Sequence, residues 1–196
     1  MEPFRTIRSV ATPLDKINVD TDQIVPKQFL KLIQKTGFGK HLFFDWRFEK
    51  DGKPRRDFVL NDPKYRNSRI LLTGDNFGCG SSREHAVWAL QDYGFGVIIS
   101  TSFADIFYSN CFKSGVLPIK VSQQTLQKLF ETKSEIEVDL ENQLIKLAGL
   151  KIPFEIESHW KKILLQGLDD IAITLKHEDK ISKYEGSQAN TKFQVS

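Results

Sequence analysis

The side chains best suited to chemistry sit together in one short stretch, Asp75-Asn76-Phe77-Gly78-Cys79-Gly80-Ser81-Ser82-Arg83-Glu84-His85-Ala86. The apolar run Ile70-Leu71-Leu72 leads into it, and a helical pattern from Ser82 to Tyr93 follows. Amide N–H groups at a helix start have no intrahelical partner, and the peptide dipoles aim their positive ends there. Such a place attracts anions. It would also stabilise a serine oxygen as an anion. Arg83 adds a planar fork that matches a carboxylate. An anion site, a hydroxyl and a guanidinium within a few residues point to chemistry on a small acid.

Other readings of this turn fail on spacing. A dinucleotide fingerprint needs a third glycine where Arg83 stands, and a phosphate-binding loop needs Gly-Lys-Ser/Thr. A nucleophile elbow needs glycine two residues either side of the serine, which neither Ser81 nor Ser82 has. Cys79 with His85 lacks a third, orienting residue for thiol catalysis. The competing structural reading is a capping box, with Ser81 as the N-cap and Glu84 three residues on. A helix dipole contributes up to about 2 kcal/mol, and one pKa unit is about 1.4 kcal/mol. The dipole alone therefore cannot bring a serine to neutral pH. Several aimed amides, a cation and exclusion of water are needed as well. The glycines let the backbone approach closely, and Arg83 is the cation.

The elements around the turn alternate. Thr6–Leu14 reads as a strand ended by Pro13, 15–26 as turns, and Lys27–Leu32 as a short helix. The aromatics Phe43, Phe44, Trp46 and Phe48 read as a packed satellite core, and 50–67 as irregular. Arg69–Thr73, Gly96–Ser100 and Val116–Val121 read as strands, the last near a sheet edge because of Pro118. Between and after them lie helices at Ser82–Tyr93, Ser102–Lys113 (Ser102 as its N-cap) and Ser122–Thr132. Alternation over Glu135–Leu140 and Gln143–Leu147 around a polar turn predicts a hairpin. Lys151–Glu157 follows as a strand, and Ser158–Gln166 and Leu168–Tyr184 as helices joined at Gly167. The expectation is a single α/β domain over 1–185 with a polar, frayed tail over 186–196.

Composition narrows the function. Of the 196 residues, 40% are hydrophobic and 27% charged, which suits one soluble core. A net charge of +3 is too small to imply nucleic acid. No apolar run approaches a membrane span, and the start of the chain lacks the apolar core of a signal peptide, so a cytoplasmic or organelle-matrix protein is expected. Two cysteines, Cys79 and Cys111, match no zinc spacing and are too few to hold an iron–sulfur cluster.

Three separate segments resemble one family. Gly78–Ala86, Asn18-Val19-Asp20-Thr21-Asp22-Gln23-Ile24-Val25-Pro26-Lys27-Gln28-Phe29-Leu30, and Ser102–Cys111 resemble the small-subunit family of 3-isopropylmalate dehydratases, in the aconitase superfamily. Asp169–Glu178 is similar to its bacterial members. The resemblance implies the swivelling β/β/α domain of aconitases as a separate chain. It implies a large subunit as partner, in a heterodimer or higher assembly, and that this partner, not the present chain, carries a [4Fe-4S] cluster. It implies a dicarboxylic acid substrate that is dehydrated and rehydrated in leucine biosynthesis. By the same resemblance Ser81 is the general base, and Ser82 and Arg83 hold a substrate carboxylate. The Gly78–Gly80 turn stabilises the alkoxide, and Thr21 and Asp22 line the site, Asp22 balancing Arg83 or a partner group. Residues 27–40 resemble a mobile loop that senses the substrate side group. Phe29, Leu30, Leu32 and Ile33 are then candidates for its apolar wall, with plain helix packing as the alternative. A non-catalytic anion-binding or regulatory module, or the small subunit of a related dehydratase such as homoaconitase, stays open at this level.

Overall fold

The computed structural model of the chain describes residues 1–31, 36–175 and 178–189. The chain opens with strands β1 (Ile7–Ser9) and β2 (Ala11–Leu14), then the one-turn helices α1 (Thr21–Ile24) and α2 (Phe44–Arg47). An alternating core follows: β3 (Ile70–Thr73), α3 (Glu84–Tyr93), β4 (Val97–Ser100), α4 (Asp105–Ser114), β5 (Leu117–Lys120) and α5 (Gln123–Phe130). Strands β6 (Ile136–Asp139), β7 (Leu144–Leu147) and β8 (Leu150–Pro153) come next, and then helices α6 (Ser158–Gln166), α7 (Asp170–Leu175) and α8 (Glu178–Ala189).

The strands form two sheets. One is parallel, in the order β2-β3-β4-β5, and the other antiparallel, in the order β1-β6-β7-β8. The expected strand over Thr6–Leu14 is therefore two strands. It breaks at Val10, and each half joins a different sheet, Ile7 pairing with Val138 and Ala11 with Ile70. Both prolines within the parallel sheet, Pro13 and Pro118, lie on its edge strands β2 and β5, where a missing N–H costs least.

Strands β3 and β4 are buried on both faces, as the continuous apolar runs require. Their period of two divides the core. Leu71 and Ile98 face a cluster with Ala86, Val87 and Leu90 of α3 and the aromatics Phe38 and Phe43. Ile70, Leu72, Val97 and Ile99 face a second cluster with Val138 and Ile145 of the antiparallel sheet and Leu126 of α5. The aromatic segment is packed, but not as a separate satellite: Phe43 is fully buried in the first cluster and stacks on Trp46 at 5.4 Å between centroids. The region read as one helix over Leu168–Tyr184 is α7 and α8, with 176–177 outside the described residues. Residues 186–189 of the expected tail continue α8, and 190–196 also lie outside. No helix among the described residues is long and apolar enough to cross a membrane.

Parallel strands put their carboxyl ends on one edge, and here the loops after β2, β3 and β4 meet. They continue the sheet's pairing beyond its last regular residue, through isolated bridges of Asp20 with Cys79 and of Phe77 with Phe103. The outer edge of an open parallel sheet is where ligands characteristically bind.

Candidate active site

The loop after β3 reaches Gly78 and Gly80 in the left-handed region, with φ of +77° and +87°. At Gly78 glycine is required twice over: a Cβ there would stand 2.1 Å from the ring of Phe107. The Gly78 amide donates to Val19 O at 2.8 Å, and Thr21 N donates to Cys79 O at 2.9 Å. These bonds lash the glycine turn to the loop after β2. The amides of Gly80, Ser81 and Ser82 have no backbone acceptor among the described residues. The Gly78 N–H, expected to face an anion, is committed to Val19 O, and the amides from Gly80 onward are those left open.

Ser81 is not the cap of α3. The helix starts at Glu84, its N-cap is Arg83, and no side chain accepts a hydrogen bond there. The capping-box reading fails because the chain needs two more residues after Gly80 to enter the helix. Ser81 and Ser82 are left exposed in the loop ahead of it. Ser102 corrects in the same way. Helix α4 starts at Asp105 behind Ala104, again with no side-chain cap. The Ser102 hydroxyl instead donates to Asp75 and accepts from the Asn76 amide at 2.9 Å.

The result is a cleft of about 260 Å³ lined by Thr21, Gly78, Gly80, Ser81, Ser82 and Arg83 on one side. Ala104, Asp105, Ile106 and Phe107 of the α4 start form the other side. Two ten-residue helices thus begin at or beside one cleft, and neither N-cap side chain, Arg83 or Ala104, accepts a hydrogen bond from its helix's first turn. Arg83 is largely buried, at 19% side-chain exposure, and one terminal nitrogen is paired with Asp22. The other lies 3.4 Å from Ser81 Oγ. The second oxygen of Asp22 lies 3.3 Å from Lys27 Nζ. Thr21 is buried and its hydroxyl donates to Ser81 O at 2.9 Å, so it positions the serine backbone.

The structure therefore brings Ser81, Ser82, Arg83, Thr21, Gly78 and Gly80 to one cleft, with Asp22 immediately behind Arg83. Phe29 and Leu30 do not line it. Phe29 stacks on His41 at 3.8 Å and meets Phe44 edge-on at 4.9 Å, which is the packing alternative. Leu32 and Ile33 lie outside the described residues. Lys27 and Ile106 belong to the site region and were not singled out by sequence reasoning. Lys27 follows Asp22 by five residues within the same motif. Ile106, 54% exposed on the first turn of α4, is an apolar residue that its helix leaves facing outward.

The surroundings of Cys79 favour the neutral thiol. Burial and the nearby Asp20 carboxylate push its thiol up, and His85 packs on Trp88 at 4.7 Å and Phe38 at 5.3 Å. Burial pushes the Cys111 thiol up further. No cluster of three or more His, Cys, Asp or Glu among the described residues could hold a metal ion. These residues do not fit an iron–sulfur cluster.

Residues 1–124 match the family model of the aconitase C-terminal domain, and residues 170–192 match that of the C-terminal domain of the 3-isopropylmalate dehydratase small subunit. The chain is 53% identical over 193 residues to a 3-isopropylmalate dehydratase small subunit of Shouchella clausii, covering 96% of this chain and 98% of that one. It is 54% identical over 191 residues to the protein of the same description from Brevibacillus brevis, covering 94% and 98%. Its fold resembles a crystal structure of a 3-isopropylmalate dehydratase from Methanocaldococcus jannaschii, with a TM-score of 0.69, 26% identity, and 92% and 99% of the two chains covered.

Proposed function

We propose, for a chain that belongs to the small-subunit family of 3-isopropylmalate dehydratases, that Ser81 is the proton acceptor of that hydro-lyase. The family's reaction interconverts 2- and 3-isopropylmalate by dehydration and rehydration, a step of leucine biosynthesis. This chain contributes to it as one subunit, alongside a large one. In this reading the large subunit carries the [4Fe-4S] cluster of the reaction, and the present chain supplies none of its ligands.

The observation that carries the reading is the exposed Ser81 hydroxyl, on the rim of a cleft where two helix starts keep their amides open. As an alkoxide, Ser81 takes the proton from the carbon next to a substrate carboxylate and becomes a neutral hydroxyl. The electrons of the broken C–H bond form the double bond of isopropylmaleate, and the hydroxyl on the neighbouring carbon leaves with its C–O electron pair as hydroxide, which with the proton now on Ser81 makes up the water eliminated. In rehydration Ser81 returns the proton. The unclaimed amides from Gly80 onward and the Arg83 guanidinium stabilise the alkoxide. Arg83 and Ser82 hold the carboxylate, with Asp22 fixing the guanidinium plane and Thr21 holding the Ser81 backbone.

Water must be excluded for these dipoles to act at full strength, and the cleft is open in this chain. It is closed by the large subunit, docking on the same edge of the sheet. The outward-facing Ile106 beside the cleft and Ile17 (66% exposed) in the loop after β2 suit such a lid. We further read 1–185 as one swivelling unit with 27–40 as its substrate loop, and the cytoplasm as its compartment.

Reconstitution tests the proposal. The purified chain alone should not turn over isopropylmalate, and adding a large subunit loaded with its cluster should restore turnover. Full activity without the partner would overturn it. Binding of dicarboxylates with no turnover in any combination would favour an anion-binding module.

A further inference from the structure

Resting on that function, we propose that Lys27 is a positioning residue for substrate binding, acting through Asp22 to keep Arg83 available to a dicarboxylate. Asp22 is shared between two cations: one oxygen pairs with Arg83 and the other lies 3.3 Å from Lys27. A guanidinium fully matched by one carboxylate carries no net charge to offer a second. With Lys27 present, the three groups together carry one positive charge beside the Ser81 cleft. Without it, Asp22 and Arg83 form a neutral pair, and an arriving carboxylate must displace Asp22 unaided.

The arrangement also links two parts of the backbone. Lys27 opens the 3₁₀ turn Lys27–Phe29, and Asp22 lies on α1, whose start is fixed by a capping box of Asp20 and Gln23. Asp22 thus sits on a turn capped at its start, and Lys27, 71% exposed, reaches it from the following turn. A residue that exposed contributes little to folding as half of an ion pair. Its effect is expected in the affinity for an anion. Lys27 is not among the residues that line the cleft.

The test is steady-state kinetics on the complex with the large subunit. For Lys27→Gln, KM for isopropylmalate should rise about tenfold at low ionic strength, the change expected for one unit charge near a partly buried site. The value of kcat should stay within about twofold. Lys27→Arg should restore KM. Added salt should raise KM of the wild type more steeply than that of Lys27→Gln, because the charge being screened is already gone. Lys53→Gln, an 80% exposed lysine paired with Asp51, serves as the control and should leave all constants unchanged. Thermal midpoints of all three variants should match the wild type. An unaltered KM and salt slope in Lys27→Gln overturns the inference, as does a loss that Lys27→Arg does not restore. If the wild-type complex does not act on isopropylmalate at all, the functional reading falls first.

Discussion

The carboxyl edge of the parallel sheet and the hairpin region beside α5 treat polar groups in opposite ways. On the hairpin side and at the start of α5, polar side chains close local hydrogen bonds. Ser122 caps the helix by accepting from the Thr125 amide at 3.2 Å. Asp139 accepts from the Asn142 amide at 3.0 Å and its side chain at 2.9 Å, and pairs with Lys146 at 3.0 Å. At the cleft, α3 and α4 start without a side-chain cap, and among the described residues Ser81 Oγ has only a long contact with Arg83. Satisfied groups stabilise the fold and are inert. Groups left open stabilise it less but can bind what arrives.

The largest test of this contrast is Ser81→Ala. On the proposed role of Ser81 as general base, kcat should fall by about a thousandfold, roughly 4 kcal/mol of barrier. Ser81 is exposed and caps nothing, so the thermal midpoint should not move. Turnover in the reconstituted complex, read beside a melting curve of the chain, checks both halves. A large loss of stability with mild loss of turnover would return Ser81 to a structural role.

Gly78→Ala should blur the contrast, since Gly78 belongs to both camps. The added Cβ collides with the Phe107 ring at a φ of +77°, and strain of this kind costs about 3 kcal/mol. Stability and turnover should fall together. A denaturant titration alongside kinetics reads them, and an unstrained, fully active variant would show that the turn relaxes easily.

The hairpin side gives a stability effect with a pH signature. Bonds from Asn142, and then Lys146, hold the Asp139 carboxyl down to about 2. A depressed folded-state pKa stabilises the fold above the ordinary carboxylate value and ceases to do so as pH falls through about 2. The stabilisation is about 2 kcal/mol near neutrality. Asp139→Asn should therefore be less stable than wild type at pH 6 and equal to it near pH 2, with turnover unaffected. A pH-independent difference would mean that the ionised form is not what the hairpin uses.

Sequence alone carried the two regions unequally. Strands β3 and β4 and the β6–β7 hairpin were legible because hydrophobic period and burial agree there, and the order of the alternating core followed. The starts of α3 and α4 differ from the sequence expectation for a physical reason. Ser81 and Ser102 have the chemistry of caps, but tertiary contacts claim their surroundings: Thr21 holds the Ser81 carbonyl and Asp75 takes the Ser102 hydroxyl. The true capping box, Asp20 with Gln23 on α1, was present in the sequence and hidden by its turn-rich neighbours. The break at Val10 carries no sequence signal, since both halves of Thr6–Leu14 look extended. Most residues that line the cleft were named from the sequence, but the sharing of Asp22 between Arg83 and Lys27 depends on how two distant loops meet.

The smallest effect exposes the trade most directly. Ser122→Ala removes the acceptor for the Thr125 amide and should cost about 1 kcal/mol, a fall in melting temperature of about 2–4 °C for a domain of this size, with no change in turnover. Arg83→Ser is its mirror. Arg83 already has the extended backbone of an N-cap, with φ −127° and ψ 118°, so a serine there can accept from the first turn of α3 and add back about the same amount. Asp22 would keep Lys27 as a partner, which limits the loss from the broken pair. The variant should melt no lower than wild type and yet bind and turn over dicarboxylate poorly. If Arg83→Ser instead unfolds the chain, the arginine is a structural post, and the open start of α3 is not the price of a binding site.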